Sequence, residues 1–360
     1  MSTPESSALT PFVWLRRFTK LVVAATLYLI FMGAQVKSHE AGLSVPDWPN
    51  TYGQNMFLFP PSQWVGGIGY EHTHRLFASL VGFLSIITAV WLTIRDPRHW
   101  VRGLAYGALA LVIIQGIFGG ITVLLLLPAP VSTLHALFAQ AFLMLTIIVA
   151  YTQSKEHRTR IETGKSEPPN PVLKPALWVV AAVYIQLLLG AFMRHTEAGL
   201  AIPDFPTTGG RWFPVFNEAT LAWINQWRFD YSFEAGGVGL EPVTMGQVLI
   251  HFAHRLGAVF VLTTVVIATR AACRVRKELP KVWRAALLLD GVVVYQLVLG
   301  MYVVWSHKEP LHTSSHVVTG AAILGIATLL ALRAWPLNPV HEKLEENDPE
   351  ERELEAQTNA

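Results

Sequence analysis

Eight long apolar stretches constrain the fold of this 360-residue chain more than any other feature of its sequence. A bilayer core about 30 Å thick requires about 20 apolar residues in a helix, and in lipid only helices and closed barrels satisfy their backbone polar groups. Charged residues make up only 14% of the chain. We therefore predict eight transmembrane helices, near residues 18–36, 74–94, 101–127, 132–152, 175–193, 248–269, 282–305 and 313–335.

The basic residues are distributed unequally between the two ends of these helices. With the N-terminus inside, 20 of the 27 Lys and Arg residues fall in inner segments and five in outer ones. Because positive charge is retained on the cytoplasmic side, we expect both termini in the cytoplasm. This topology explains the net charge of +2, so nothing indicates a nucleic-acid partner. The single cysteine, Cys273, excludes an intramolecular disulfide and a cysteine-only metal site.

The chain contains an internal repeat. GAQVKSHEAGLSVPDWP (33–49) aligns with GAFMRHTEAGLAIPDFP (190–206), and nine of the 17 positions are identical. The alignment continues through His74-Arg75-Leu76 with His254-Arg255-Leu256, Gln115 with Gln296, and His135 with His316. Each half has an even number of helices, so the two repeats cross the membrane in the same direction, related by a pseudo-twofold axis along its normal.

The predicted fold is thus an all-α polytopic membrane protein with two tandem four-helix bundles. We divide it into a cytoplasmic N-terminus (1–17), a first half (18–152), a cytoplasmic linker (153–174), a second half (175–335) with a long outer loop (194–247), and an acidic cytoplasmic tail (336–360).

Four of the 13 histidines correspond in pairs between the repeats: His74 with His254, and His135 with His316. Each lies near the outer end of the second or fourth helix of its half. Two inward-facing histidines at one depth can bind opposite faces of one porphyrin. The alternative for each is an interhelical hydrogen bond. Their duplication favours a bis-histidine heme site in each half.

Residues beside the histidines suit a porphyrin, although each of them also fits a second role. Arg75 and Arg255 are candidates for pairing with heme propionates or with lipid headgroups. Gly116, Gly119, Gly120 and Gly300 allow close approach of a macrocycle or of a neighbouring helix. The paired Gln115 and Gln296 are more typical of interhelical hydrogen bonds.

The halves differ three residues before the first histidine of each pair. EHTHR (71–75) has Glu71 where HFAHR (251–255) has His251. A spacing of three places Glu71 on the helix face of His74, where a carboxylate can act as a base beside the heme edge. The alternative is a solvated residue at the helix start. This difference predicts a catalytic first half and an electron-transfer second half.

Together these motifs resemble the heme A synthase family of bacterial and mitochondrial membranes, over residues 18–335. The resemblance rests on EAGLSVPDWP (40–49), EHTHR (71–75), STLHALFAQA (132–141), EAGLAIPDFP (197–206), HFAHR (251–255) and SSHVVTGA (314–321). Members oxidise the ring D methyl group of heme O to a formyl group, giving heme A for terminal oxidases. The resemblance implies that His74 and His135 hold the substrate heme, that Glu71 serves the oxidation, and that His254 and His316 hold heme b.

The resemblance also implies an inner-membrane location and, as partners, lipid, heme O, and heme O synthase or oxidase assembly factors; a homo-oligomer remains open. Some members carry cysteine pairs in outer loops, which this chain lacks, so we expect no thiol-based step.

The second outer loop is longer than the first by 23 residues. Its three tryptophans are expected to dock assembly machinery or lie at the membrane surface: Trp212, Trp223 and Trp227.

Two other functions fit parts of the pattern. A di-heme cytochrome b explains the four histidines but not the replacement of Glu71 in the second half. A transporter fits the parallel repeat but predicts polar residues through the midplane, whereas the ionisable residues here gather at the outer ends. A prenyl transferase is disfavoured because paired aspartate-rich motifs for diphosphate–magnesium binding are absent from the sequence.

Overall fold

The computed structural model describes residues 10–163, 167, 170–208, 210–212, 215–234 and 241–337. The predicted acidic tail beyond residue 337 and the first nine residues lie outside this part of the chain. Eight of the helices it contains are long and apolar enough to cross a membrane, as predicted. They are α1 (Thr10–Ser38), α2 (Gly67–Arg95), α3 (His99–Leu124), α4 (Ala129–Thr152), α6 (Leu173–His195), α8 (Met245–Arg274), α9 (Pro280–Trp305) and α10 (Pro310–Ala334).

Local signals explain several of the helix starts. α9 and α10 begin at Pro280 and Pro310, where the missing N–H of proline costs no helical hydrogen bond. α8 begins with a capping box, in which the Thr244 side chain accepts from the backbone N–H of Gln247 and the Gln247 side chain accepts from that of Thr244. These starts set the depth at which the histidines of α8 and α10 lie.

The packing of the helices repeats from one half to the other. In the first half α1 packs against α2 and α4, α2 against α3, and α3 against α4. In the second half α6 packs against α8 and α10, α8 against α9, and α9 against α10. The halves meet through α1 with α10, α4 with α6, and α4 with α10. Each contact in one half therefore has its counterpart in the other, as the predicted pseudo-twofold relation requires.

Two further helices were not predicted. α5 (Lys155–Glu162) lies in the linker, and α7 (Glu218–Glu234) lies in the long outer loop. α5 is short and polar, and the Ser154 side chain caps its first turn. α7 is anchored by Ile224, which is fully buried against the second half. Neither helix contains a long apolar stretch, so a search for membrane spans does not detect them.

Polar contacts fasten the linker end of the first half. The carboxylate of Asp96 accepts from Arg98 Nε at 2.9 Å, from Arg98 Nη2 at 2.8 Å and from Gln153 Nε2 at 2.7 Å, and all three residues are buried. Burial opposes ionisation of Asp96, but the hydrogen bonds and charge of Arg98 hold the pKa of its carboxyl below the usual range. This end of the bundle thus contains a buried ion pair.

Candidate functional site

Equivalent outer loops cover the histidine end of each half. In the first loop the Asp47 carboxylate accepts from the backbone N–H of Tyr52 at 2.9 Å and of Gly53 at 2.8 Å. In the second, Asp204 accepts from the backbone N–H of Gly210 at 2.9 Å. Partial burial would raise the pKa of Asp47, but the two backbone donors hold it below the usual range. Both Pro-Asp motifs therefore anchor a turn, and the carboxylate of Asp47 is ionised there.

An arginine beside each first histidine fastens its loop to the bundle. Arg75 donates to the carbonyl oxygens of Val45 at 2.7 Å, Asp47 at 2.7 Å and Asn50 at 3.0 Å. In the second half Arg255 donates to three carbonyls at the equivalent positions, those of Ile202 at 3.2 Å, Asp204 at 2.7 Å and Thr207 at 2.9 Å. Both guanidinium groups are thus engaged by backbone of the loops, and their predicted contact with heme propionates remains a prediction.

Glu71 is buried at the junction of this loop with α2. Its side chain accepts from Arg75 Nη2 at 2.6 Å and from the backbone N–H of Val45 at 2.8 Å. With 3% of its surface exposed, Glu71 is not the solvated helix-start residue that the sequence left open. Its carboxylate and the guanidinium of Arg75 form a buried ion pair one helical turn from His74.

His251 occupies the same place in the second half. The backbone nitrogen of Ile202 and Nε of Arg255 each lie 3.2 Å from a ring nitrogen of His251. A neutral imidazole accepts at only one nitrogen, so His251 satisfies one donor at a time, whereas the carboxylate of Glu71 satisfies both. The repeats therefore share an architecture and differ in the charge placed beside the first histidine.

Each of the four predicted ligand histidines packs its ring edge against a glycine of the preceding membrane helix. A Cβ added at Gly33 would lie 3.0 Å from His74 Cε1, and one at Gly190 would lie 3.0 Å from His254 Cε1. The fourth helices repeat the contact: a Cβ at Gly119 would lie 3.5 Å from His135 Cε1, and one at Gly300 would lie 3.1 Å from His316 Cε1. These glycines fix how far each imidazole can turn toward the neighbouring helix.

The structure brings the predicted pairs together. His74 lies within electrostatic range of His135, and His254 lies within electrostatic range of His316. The buried Nδ1 atoms of His74, His135 and His316 have no hydrogen-bond partner among the described residues. Within the same part of the chain, no three His, Cys, Asp or Glu residues cluster as ligands for a bare metal ion. Paired imidazoles of this kind suit a planar metalloporphyrin, whose metal needs only two axial ligands from the protein.

Amide side chains hold the histidine-bearing helices. Gln115 donates to the backbone carbonyl of His135 at 2.8 Å, and Gln296 donates to that of His316 at 2.9 Å. These are the interhelical hydrogen bonds that the sequence favoured for the pair. Gln186, which was not predicted, donates to the carbonyl of His254 at 2.8 Å. No repeat signal could reveal Gln186, because the equivalent first-half position is Leu29.

The glycines singled out on the third helices have different environments. Gly119 and Gly300 face histidine rings, and Gly120 faces Trp48, whose Cδ2 would lie 2.5 Å from an added Cβ. Gly116 has open space within 4 Å. Sequence reasoning missed Gly33 and Gly190 as functional glycines, although their identity in the aligned segments was a usable signal.

His72, to which the sequence assigned no role, is fully buried beneath the first loop. Its Nδ1 lies 3.2 Å from Thr51 Oγ1, and its ring contacts those of Phe59 and Trp64. His72 therefore anchors the loop, and it lies between Glu71 and the predicted ligand His74 on α2.

Basic residues join the halves beside these sites. Arg194 of α6 donates to the Ala34 carbonyl at 2.7 Å and to Ser38 Oγ at 2.8 Å, both on α1. Lys37, its repeat counterpart, pairs with Glu197. Burial opposes the ionisation of Glu197, but Lys37 holds the pKa of its carboxyl below the usual range. The outer ends of α1 and α6 are thus tied across the boundary between the halves.

The sequence of this chain is similar to those of known proteins over most of its length. A family model described as COX15-CtaA, cytochrome oxidase assembly protein, matches residues 68–328. Curated relatives named heme A synthase include one from Shewanella oneidensis, 25% identical over 338 residues, covering 89% of this chain and 94% of the relative. One from Symbiobacterium thermophilum is 27% identical, covering 70% and 73%. One from a Chelativorans species is 25% identical, covering 88% and 90%. The family model spans well over half of the sequence, so this chain belongs to the COX15-CtaA family of cytochrome oxidase assembly proteins, the heme A synthase family.

Proposed function

We propose that this chain oxidises the ring D methyl group of heme O to a formyl group, producing heme A. In this proposal the first half, residues 18–152, binds the substrate heme, and the second half, residues 175–335, binds heme b. The protein acts in the cytoplasmic membrane with both termini in the cytoplasm, as supported by the excess of basic residues at one end of the spans.

The residues present fit a heme in each half. His74 and His135 would hold the substrate iron, and His254 and His316 would hold the iron of heme b. The partnerless buried Nδ1 atoms of three of these rings, and the glycine against each ring, support this assignment. Bound heme b supplies one-electron redox chemistry to the second half.

The exchange of Glu71 for His251 at one position of a shared scaffold carries the proposal. Both residues lie within hydrogen-bonding distance of the equivalent loop nitrogen and the equivalent arginine. His251 accepts from only one of these donors at a time and the second loop is still anchored, so anchoring alone does not require a carboxylate. Only the first half has a buried anionic base one turn from its histidine. Glu71 therefore takes up a proton as the methyl carbon is oxidised, and Arg75 holds the carboxylate in place.

The overall conversion sets what the site must supply. Two successive hydroxylations of the methyl carbon give a geminal diol, which loses water to leave the aldehyde. With water as the oxygen source, the carbon gains one oxygen atom and releases protons and electrons. In this proposal the electrons leave one at a time through the second half to an external one-electron acceptor. With two imidazoles on the substrate iron, oxygen cannot bind that iron without displacing one. This favours proton removal by Glu71 together with stepwise electron removal.

A comparison of Glu71→His with wild type tests the proposal. The second half shows that histidine is accommodated at this position, so the variant preserves the loop while removing the carboxylate. We expect it to bind heme O when reconstituted but to form no heme A, as measured by chromatography of the extracted hemes. His251→Ala is the matched control for disturbing the same junction in the other half. Normal heme A formation by Glu71→His would overturn the role of Glu71.

The same experiment separates the proposed oxidation from pure electron transfer. A di-heme cytochrome would bind heme O without changing it, and wild-type protein would then return only heme O on extraction. Conversion of heme O to heme A by the wild-type protein, and the loss of this conversion in Glu71→His, together support the proposed oxidation. The contrast between the halves at Glu71 and His251 favours this outcome.

A further inference from the structure

A small, partly open cavity lies between the helices of the first half, away from the histidines. Four hydroxyl groups line it, from Thr19 on α1, Ser85 and Thr88 on α2, and Thr146 on α4. Ser85 and Thr146 each follow a predicted heme ligand by 11 residues, which corresponds to about 16 Å along a helix. The cavity is thus separate from the candidate site.

The second half has no counterpart of this polar lining at the equivalent positions. The repeat replaces the four hydroxyl residues by Ala176, Val265, Ala268 and Ala327. Leu289 and Leu330 replace the smaller Ala108 and Val149, which complete the cavity wall in the first half. All six substitutes belong to one apolar core, with at most 1% of their surface exposed. One half therefore keeps a small space, lined by hydroxyl-bearing and aliphatic residues together, where the other is packed with aliphatic side chains only.

The four hydroxyl groups remain able to accept hydrogen bonds. Each donates its own proton to a backbone carbonyl in the preceding turn: Thr19 at 3.2 Å, and Ser85, Thr88 and Thr146 at 2.8 Å. Their oxygen lone pairs stay available to a donor inside the cavity. The free space is about 10 Å³, which is the size of a site for one water molecule with several polar partners.

We infer that this cavity holds one ordered water molecule, bound by the hydroxyl groups of Thr19, Ser85, Thr88 and Thr146. The water donates hydrogen bonds to two of these hydroxyl oxygens. A third hydroxyl group rotates and donates a hydrogen bond to the oxygen of the water. An apolar cavity of this kind would stay dry, so the hydroxyl lining is what makes water favourable here. The site gives the first half a hydrated core between its histidines and the buried Asp96–Arg98 pair.

A high-resolution density map of the full-length protein tests this inference, and its second half serves as an internal control. We expect one peak within hydrogen-bonding distance of at least two of the four hydroxyl oxygens, and none among the equivalent residues of the second half. An empty first-half cavity, a lipid chain within it, or a bound cation with short contacts to several oxygens would overturn the inference.

Exchanging residues between the repeats separates the effect of polarity from that of volume. Ala108→Leu with Val149→Leu introduces the second-half residues, and we expect the water peak to disappear. Leu289→Ala opens space in the apolar core of the second half, and we expect that space to stay dry while the melting temperature falls. Water in the Leu289→Ala cavity would show that volume alone governs hydration and would overturn the inference.

A milder variant covers the case in which the double substitution fails to fold. Thr88→Ala removes one hydroxyl and one methyl group and adds no atoms, and Ala268 shows that the equivalent second-half position accepts alanine. Radiolytic hydroxyl labelling followed by mass spectrometry reports water beside the lining side chains. We expect labelling of Val149 to fall in Thr88→Ala and labelling of the second-half core to stay at its low wild-type level. Unchanged labelling of Val149 would count against a bound water.

Discussion

The contact between each histidine and its glycine predicts an effect that separates the two halves. In Gly33→Ala the new Cβ would lie 3.0 Å from His74 Cε1, so the imidazole must move by a few tenths of an ångström. In Gly190→Ala the same displacement falls on His254. Overpacking of this kind typically costs about 1–3 kcal/mol, which corresponds to about 5- to 150-fold weaker heme retention where the ring must bind iron.

Quantitation of the hemes extracted from purified protein gives the readout. Gly33→Ala should lose heme O and heme A while keeping heme b, and Gly190→Ala should lose heme b while keeping the first-half heme. Gly116→Ala is the control, because a Cβ there meets nothing within 4 Å. Equal loss from both halves in either variant, or comparable loss in Gly116→Ala, would refute the reasoning, since the effect would then be general helix disturbance.

Three further predictions concern stability. Asp96→Asn should lower unfolding stability by about 3–5 kcal/mol, measured as a fall in melting temperature, because it leaves Arg98 buried without its anion. Because the pKa of Asp96 is held below its unfolded value, the pair stabilises the fold above that value. Its contribution disappears as pH falls through the folded pKa, and the Asn variant should lack this acid-side loss. Arg255→Ala should cost about 1–3 kcal/mol and speed hydrogen exchange in the second loop, since three loop carbonyls lose their donor; unchanged exchange would contradict the anchoring role. Lys37→Ala should change stability by less than about 1 kcal/mol, because its pair with Glu197 is partly exposed to solvent.

The membrane helices and their pairing could be predicted from the sequence because both depend on patterns along the chain. Apolar stretches locate the spans to within a few residues for most helices, and the start of α1 at Thr10 is the largest difference. Aligned motifs identified the repeat, and hence which histidines occupy equivalent places. These features need no knowledge of which loop lies over which helix.

The contacts of the outer loops could not be predicted, because they depend on the path of the chain in three dimensions. Arg75 binds carbonyls that lie 25 to 30 residues earlier in the sequence, and a side chain gives no sign of which backbone it will meet. The same limit applies to α7, whose position depends on the burial of Ile224 against the second half. The burial of Glu71 likewise depends on the loop that packs over it, which no pattern along the chain predicts.

Heme content of single histidine variants tests most directly whether each histidine pair holds one heme. Purified wild-type protein, His74→Ala and His254→Ala would be compared by pyridine hemochrome spectra and chromatography of the extracted hemes. We predict that His74→Ala loses only the heme O or heme A of the first half and that His254→Ala loses only heme b. Retention of both hemes in either variant, or loss of the opposite heme, would contradict the assignment of one heme to each pair.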